Sequence, residues 1–186
     1  MRNLIYGINL TIDGCCDHTK VNGSEEIHEY WTQRMRDVDT IVYGRKIYEL
    51  MVPYWPDVAK NRSGQTAAAN EFARTFDAKK IVVFSKTLEM AERKNTRIVR
   101  GNLRDEIEKL KQEEGKNISL SGLDLASQVI ALGLVDEYYM VVHPIVAGEG
   151  RRLMEGIGLQ EKLQLRLVES SVLGSGCVAL HYLKQA

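Results

Sequence analysis

Short apolar runs that stop at small residues recur along the chain and alternate with segments of helical spacing. Thr40–Ile41–Val42–Tyr43 stops at Gly44, Ile81–Phe84 at Ser85, and Ile118–Leu120 at Ser121–Gly122. Strands that alternate with helices build a mostly parallel sheet with helices on both faces. The rhythm changes near the C-terminus. Leu163, Leu165 and Leu167 alternate with Gln164 and Arg166, and a Gly174–Ser175–Gly176 turn leads to a second strand, Val178–Leu183. That is a hairpin, and it adds antiparallel strands at one edge. The expected fold class is α/β, a doubly wound mixed sheet, mostly parallel, with an antiparallel C-terminal hairpin.

The remaining elements follow from local signals. Leu4–Ile12 reads as a strand ending at Asp13–Gly14, a turn dipeptide. Ser24 is a helix N-cap with Glu25 and Glu26 in the first turn, followed by Ile27, Tyr30, Trp31, Met35 and Val38 at helical spacing. A helix over Arg45–Met51 gives way to an irregular stretch, Val52–Gln65, holding Pro53, Tyr54, Trp55 and Pro56. Loops of that length are often lids or interfaces. Ala67–Phe76 is helical and Thr96–Val99 is a strand. Asn102 caps a helix whose inner face is Leu103, Ile107 and Leu110, ending at Gly115. Leu125, Val129 and Ile130 form a helix closed by Gly133, and Tyr138–Val146 is a long strand. No repeat or linker divides the chain, so residues 1–186 are expected to form one domain.

Composition narrows the function. Of 186 residues, 25 are Lys or Arg and 25 are Asp or Glu, so no whole-chain basic footprint marks a nucleic-acid binder. A 44% hydrophobic content fits a packed chain. No apolar run reaches the ~18 residues of a membrane helix, and the first residues lack a secretory h-region. The expectation is a cytoplasmic protein acting on a small molecule. Cys15, Cys16 and Cys177 are odd in number, which points to reducing conditions. Cys15–Cys16–Asp17–His18 crowds four ligand types together, but adjacent ligands close a zinc tetrahedron poorly, so no metal is expected.

In such sheets ligands bind at the carboxyl ends of the strands. Four strand ends carry unusual residues. At Gly44–Arg45–Lys46 a helix starts at once after the strand. Free N–H groups there bind phosphate, and two cations oppose the helix dipole unless an anion is present. Ser121–Gly122–Leu123 repeats the pattern, and two such starts would hold the two phosphates of a dinucleotide. The usual G-x-G-x-x-G and P-loop fingerprints are absent. Ser85 and Lys86 put a hydroxyl and a cation at a third strand end, which suits a ribose 2′-phosphate and hence NADP rather than NAD. Asp13 is either a substrate contact or a turn former.

Together the motifs LTIDG (10–14), YGRKIYE (43–49), VVFSK (82–86), SGLDL (121–125) and LVDEYYMVVHPIVAGEGRRLME (134–155) resemble the dihydrofolate reductase-like superfamily. Their order is similar to that of the reductase (C-terminal) domain of riboflavin-biosynthesis deaminase–reductases. The resemblance implies an eight-stranded mixed sheet and an NADPH site. Gly44, Arg45 and Lys46 match phosphate-binding positions, and Ser85 and Lys86 match those beside the 2′-phosphate. Ser121 and Gly122, with Leu123, Asp124 and Leu125, match the turn under the nicotinamide and phosphates. Asn9 and Leu10 match the strand on which the nicotinamide lies. The tyrosine that usually follows the turn is replaced by Ala126, and no deaminase zinc motif is present.

The expected activity is hydride transfer from NADPH to a small heterocyclic (pterin- or pyrimidine-like) or carbonyl substrate. Asp13 and Glu26 are the candidate catalytic carboxyls for proton delivery, alongside an ordered water. The rival expectation is a non-catalytic nucleotide-binding module on the same fold. A homodimer is expected from the resemblance, with the apolar face of the hairpin as its contact.

Overall fold

The computed structural model describes residues 1–21, 23–91 and 93–185. The order of elements is β1 (Leu4–Thr11), α1 (Glu25–Met35), β2 (Val38–Gly44), α2 (Arg45–Asn61), α3 (Ala67–Asp77), β3 (Lys80–Phe84) and β4 (Thr96–Val99). It continues with α4 (Leu103–Gln112), β5 (Asn117–Leu120), α5 (Asp124–Ala131), β6 (Glu137–His143), β7 (Leu165–Val172) and β8 (Val178–Lys184). The strands form one sheet in the order β4-β3-β2-β5-β1-β6-β8-β7. The first six in that order run parallel; β8 runs antiparallel to β6, and β7 antiparallel to β8. This is the mixed, doubly wound sheet with an antiparallel end that the alternation of the sequence predicts.

Alternate residues of the central strands feed two cores, as the two-residue period of a strand requires. On one face Ile41, Tyr43, Ile81 and Val83 pack with Tyr48, Val52, Phe72 and Phe76 of α2 and α3. On the other Val42, Val82, Leu4 and Tyr6 pack with Ile107, Leu110, Leu125 and Val129 of α4 and α5. Phe76 is fully buried, so truncation to Ala would cost about 3–5 kcal/mol.

Several boundaries differ from the sequence reading. Val38 opens β2 instead of closing α1. The stretch from Val52 is helix as far as Asn61, with Pro53 and Pro56 inside it. Each proline removes one backbone bond, but Tyr48, Val52 and Val58 are buried, and Trp55 lies 4.5 Å from Phe72, ring centre to ring centre. Tertiary packing thus overrides the local rule. Trp55 belongs to the packed layer; Tyr54 is exposed. β6 stops at His143 because Pro144 has no N–H to give the ladder. β7 starts at Leu165 and runs to Val172 at the sheet edge, with Leu167, Val168 and Val172 exposed. No described helix is long and apolar enough to cross a membrane.

Candidate functional site

The site is built where β1, β2, β3 and β5 end. Three helices start on a side-chain cap. Ser24 Oγ accepts from Ile27 N (3.3 Å) in α1, and Thr66 Oγ1 from Ala69 N (3.1 Å) in α3. Asn102 Oδ1 accepts from Arg104 N (2.9 Å) in α4. The starts of α2 and α5, at Gly44 and Leu123, have no side-chain cap. An uncapped start leaves N–H groups turned outward with the positive end of the dipole.

These two starts lie against each other. A Cβ on Gly44 would stand 3.3 Å from Leu125 Cβ, and one on Gly122 would stand 3.2 Å from Ile47 Cγ2. Gly122 also has a φ of +93°, a region that only glycine enters freely. Its carbonyl accepts from Tyr6 Oη at 3.0 Å, which ties the turn to β1. Glycines at both strand ends therefore let two helix starts approach, as a two-phosphate cradle requires.

Charged side chains ring the cradle. Asp124 accepts from Lys46 Nζ (3.0 Å) and Arg151 Nη2 (2.5 Å), and these two cations hold its carboxyl below the usual range. Arg45 donates to Glu49 Oε1 (2.6 Å) and to Thr87 Oγ1 (2.5 Å). That second bond carries the guanidinium from α2 across to the loop after β3. In the loop Ser85 Oγ accepts from Leu88 N (3.0 Å), and Lys86 is exposed. Arg45 and the Ser85–Lys86 pair, distant in the chain, thus share one corner. Arg45, Lys46, Lys86 and Arg151 outnumber Glu49, Asp124 and Glu155, the last 4.0 Å from Arg151, so these groups leave the rim net positive. Arg151 enters the site from the GEGRR run (148–152), whose sequence suits either an anion site or a solvated loop, and Thr87 enters it although nothing in the sequence singles it out.

The two candidate catalytic carboxyls are engaged elsewhere. Asp13 accepts from the Thr11 hydroxyl and from Gly148 N (2.8 Å) and Ala147 N (3.0 Å). Those bonds, the hydroxyl first, pull its pKa down to about 2. It pins the loop after β6 to the β1 turn. Glu26 accepts from Gly174 N (2.6 Å) and Ser175 N (3.0 Å), so it closes the β7–β8 turn, and the same bonds lower its pKa. Both groups stay ionised near neutral pH, and an ionised carboxylate has no proton to give.

Asn9 and Leu10 point to opposite sides of β1. Leu10 lines a cleft of about 240 Å³ with Ile8, Gly14, Cys16, Met140, Arg152 and Leu153. Asn9 faces α1, where Trp31 Nε1 donates to its Oδ1 at 3.1 Å. His143, 2% exposed, lies between Asn9 and Cys177, and burial lowers its pKa. Among the described residues no three His, Cys, Asp or Glu side chains are grouped to hold a metal. The His18 side chain of the Cys15–His18 run lies outside the described residues. Cys15 itself is buried, and a Cβ on Gly150 would collide with its Sγ.

The chain is similar to the YyaP protein of Bacillus subtilis (strain 168), 35% identical over 97% of this chain and 94% of that one. A pyrimidine reductase-like protein from Corynebacterium diphtheriae superposes with a TM-score of 0.68 at 15% identity, covering 100% of this chain and 92% of that one. Dihydrofolate reductase from Enterococcus faecalis, solved with NADP(H), superposes with a TM-score of 0.64 at 11% identity, covering 99% and 97%. The two structural likenesses show the dihydrofolate reductase-like fold. The sequence also matches a family model over residues 2–179, nearly its whole length, and on that ground the chain belongs to the RibD C-terminal domain family.

Proposed function

We propose that the protein is an NADPH-dependent reductase. The observation that carries this reading is the pair of uncapped helix starts at Gly44 and Leu123, touching through glycine and ringed by cations. Backbone N–H groups there would hold a pyrophosphate. Arg45, Ser85 and Lys86 would hold the 2′-phosphate one element away. The bound nicotinamide would supply the hydride; the chain's part is to place it along β1 and exclude water. With Asp13 and Glu26 both ionised and bonded to backbone, we assign the proton to solvent water and the two carboxylates to holding loops. The family and the NADP(H)-bound neighbour of the same fold support the reading.

A fluorescence titration tests it. Wild type should bind NADPH at least tenfold more tightly than NADH, and Arg45→Ala should remove most of that difference. Equal weakening of both cofactors would sink the 2′-phosphate assignment, and no binding of either would sink the reductase reading. For the assembly we propose a homodimer closed on the exposed β7 edge, where Leu167 and Val172 lie bare. Sedimentation of Leu167→Glu and Val172→Glu should then show monomer where wild type shows dimer.

A further inference from the structure

The two ends of the Asn9 carboxamide are not equivalent in this fold. Indole N–H donates and cannot accept, so the Asn9 atom 3.1 Å from Trp31 Nε1 is oxygen. His143 Nε2 stands 3.5 Å from the same oxygen, and Cys177 Sγ stands 3.5 Å from His143 Nδ1 on the far side of the ring. The buried ring is neutral near pH 7 and carries one proton. Placed on Nε2, that proton points at Asn9 Oδ1 and leaves Nδ1 to accept the Cys177 thiol. The direction of every donor in the row is then fixed by chemistry: Cys177 to His143, His143 to Asn9, Trp31 to Asn9.

The consequence lies at the other end of the amide. With Oδ1 held by two donors, Nδ2 keeps two N–H groups that have no partner among the described residues. Nδ2 is also not among the sealed, unpartnered polar atoms of the described residues, so it keeps some exposure. It does so beside the last residues of β1, the strand on which the nicotinamide is placed above. Asp13 and Glu26 each spend their two oxygens on holding backbone N–H groups of distant loops. The Asn9 side chain therefore offers a ligand donors and not an acceptor.

We propose that Asn9 determines specificity by binding a carbonyl oxygen through Nδ2, with Trp31 and His143 as positioning residues that hold the amide in that sense. This rests on the cofactor reading above. The oxygen belongs either to the nicotinamide carboxamide or to the acceptor being reduced.

The test compares wild type, Asn9→Asp and Trp31→Phe in binding NADPH and 2′-phospho-ADP-ribose, which has the phosphates but no nicotinamide. If the oxygen is the cofactor's, Asn9→Asp raises the NADPH Kd about tenfold or more and leaves the 2′-phospho-ADP-ribose Kd within twofold. Trp31→Phe moves NADPH alone in the same direction; equal loss for both ligands would reduce Trp31 to a structural role and overturn its part. If the oxygen is the acceptor's, both Kd values hold. The Asn9 Nδ2 resonances of the NADPH complex then shift on adding 1,3-dimethyluracil, which has carbonyls and no N–H. The absence of both responses overturns the proposal. Failure of wild type to bind either nucleotide overturns the cofactor reading first, and this assignment with it. Asn9→Ser, which keeps an acceptor for Trp31, replaces Asn9→Asp should that variant not fold.

Discussion

The Cα of Gly7 lies under the indole of Trp31: a Cβ there would stand 2.9 Å from Trp31 Cζ3. The bare backbone of β1 is what lets α1 lay this ring on the strand and bring Nε1 to Asn9. Gly7→Ala should push the indole away and cost about 1–3 kcal/mol, the usual price of overpacking. Urea unfolding followed by tryptophan fluorescence measures this. The same variant should weaken NADPH binding, because the Asn9 amide loses its anchor. Unchanged stability would mean that the ring has room to move.

Asp124 sets binding against stability. Its carboxylate occupies Lys46 and Arg151 and also sits in the first turn of α5, where the dipole favours an acid. Asp124→Asn should free both cations and tighten NADPH at low salt, with the gain fading as salt rises. The same change should lower stability by about 0.3–1 kcal/mol. Calorimetric titration at two ionic strengths, with thermal melts, separates the two effects.

Asp13 predicts an acid limb in the stability profile. Its folded pKa of about 2 lies below the ordinary value of 3.8, so its contribution is fully present above pH ~4. It is lost as pH falls towards 2. Asp13→Asn should therefore melt lower than wild type at pH 7, and the two curves should converge near pH 2. A constant gap across that range would show that the carboxylate's charge is not what fastens Ala147 and Gly148.

Glu26 can be followed at its partners. Its bonds to Gly174 N and Ser175 N lower its pKa, so these amides should keep their exchange protection to a lower pH than an ordinary glutamate would allow. Glu26→Gln should raise their exchange rates at neutral pH, read by NMR, without touching those of β1.

Helix α2 carries two prolines at a net cost. Pro56→Ala restores an N–H that can reach the carbonyl one turn back, and should stabilise the protein by about 1–3 kcal/mol. A loss in chemical denaturation would mean that the ring itself is packed too well to give up.

The parts of this fold legible in sequence are those with local causes. Ser24 and Asn102 cap α1 and α4 because a side-chain oxygen two or three residues from an N–H needs nothing else. The apolar runs that became β2, β3 and β5 are legible because both their faces are buried. Helix α2 beyond Met51 was not, since what holds Trp55 in place is Phe72 on another helix. The two uncapped helix starts are legible at Gly44 and Leu123, where the absence of a capping residue is itself visible. The roles of Glu26 and Asp13 were not, because each binds backbone N–H groups well over a hundred positions away, and a carboxylate's partners leave no mark on its own neighbourhood. Trp31 reads as a helix-face aromatic until β1 is laid beneath it.

The central place of β1 also shapes how the protein is made. Leu4 pairs with Ile118, and Ile5 with both Ser119 and Glu137, so the earliest strand waits for partners from the second half of the chain. At about 5–20 residues per second of synthesis, that is several seconds with both strand edges open. Folding should be slow for a chain of this size, since its sheet closes only through long-range contacts. A nascent chain halted before β5 should expose an apolar β1 to chaperones, and one released after β6 should not.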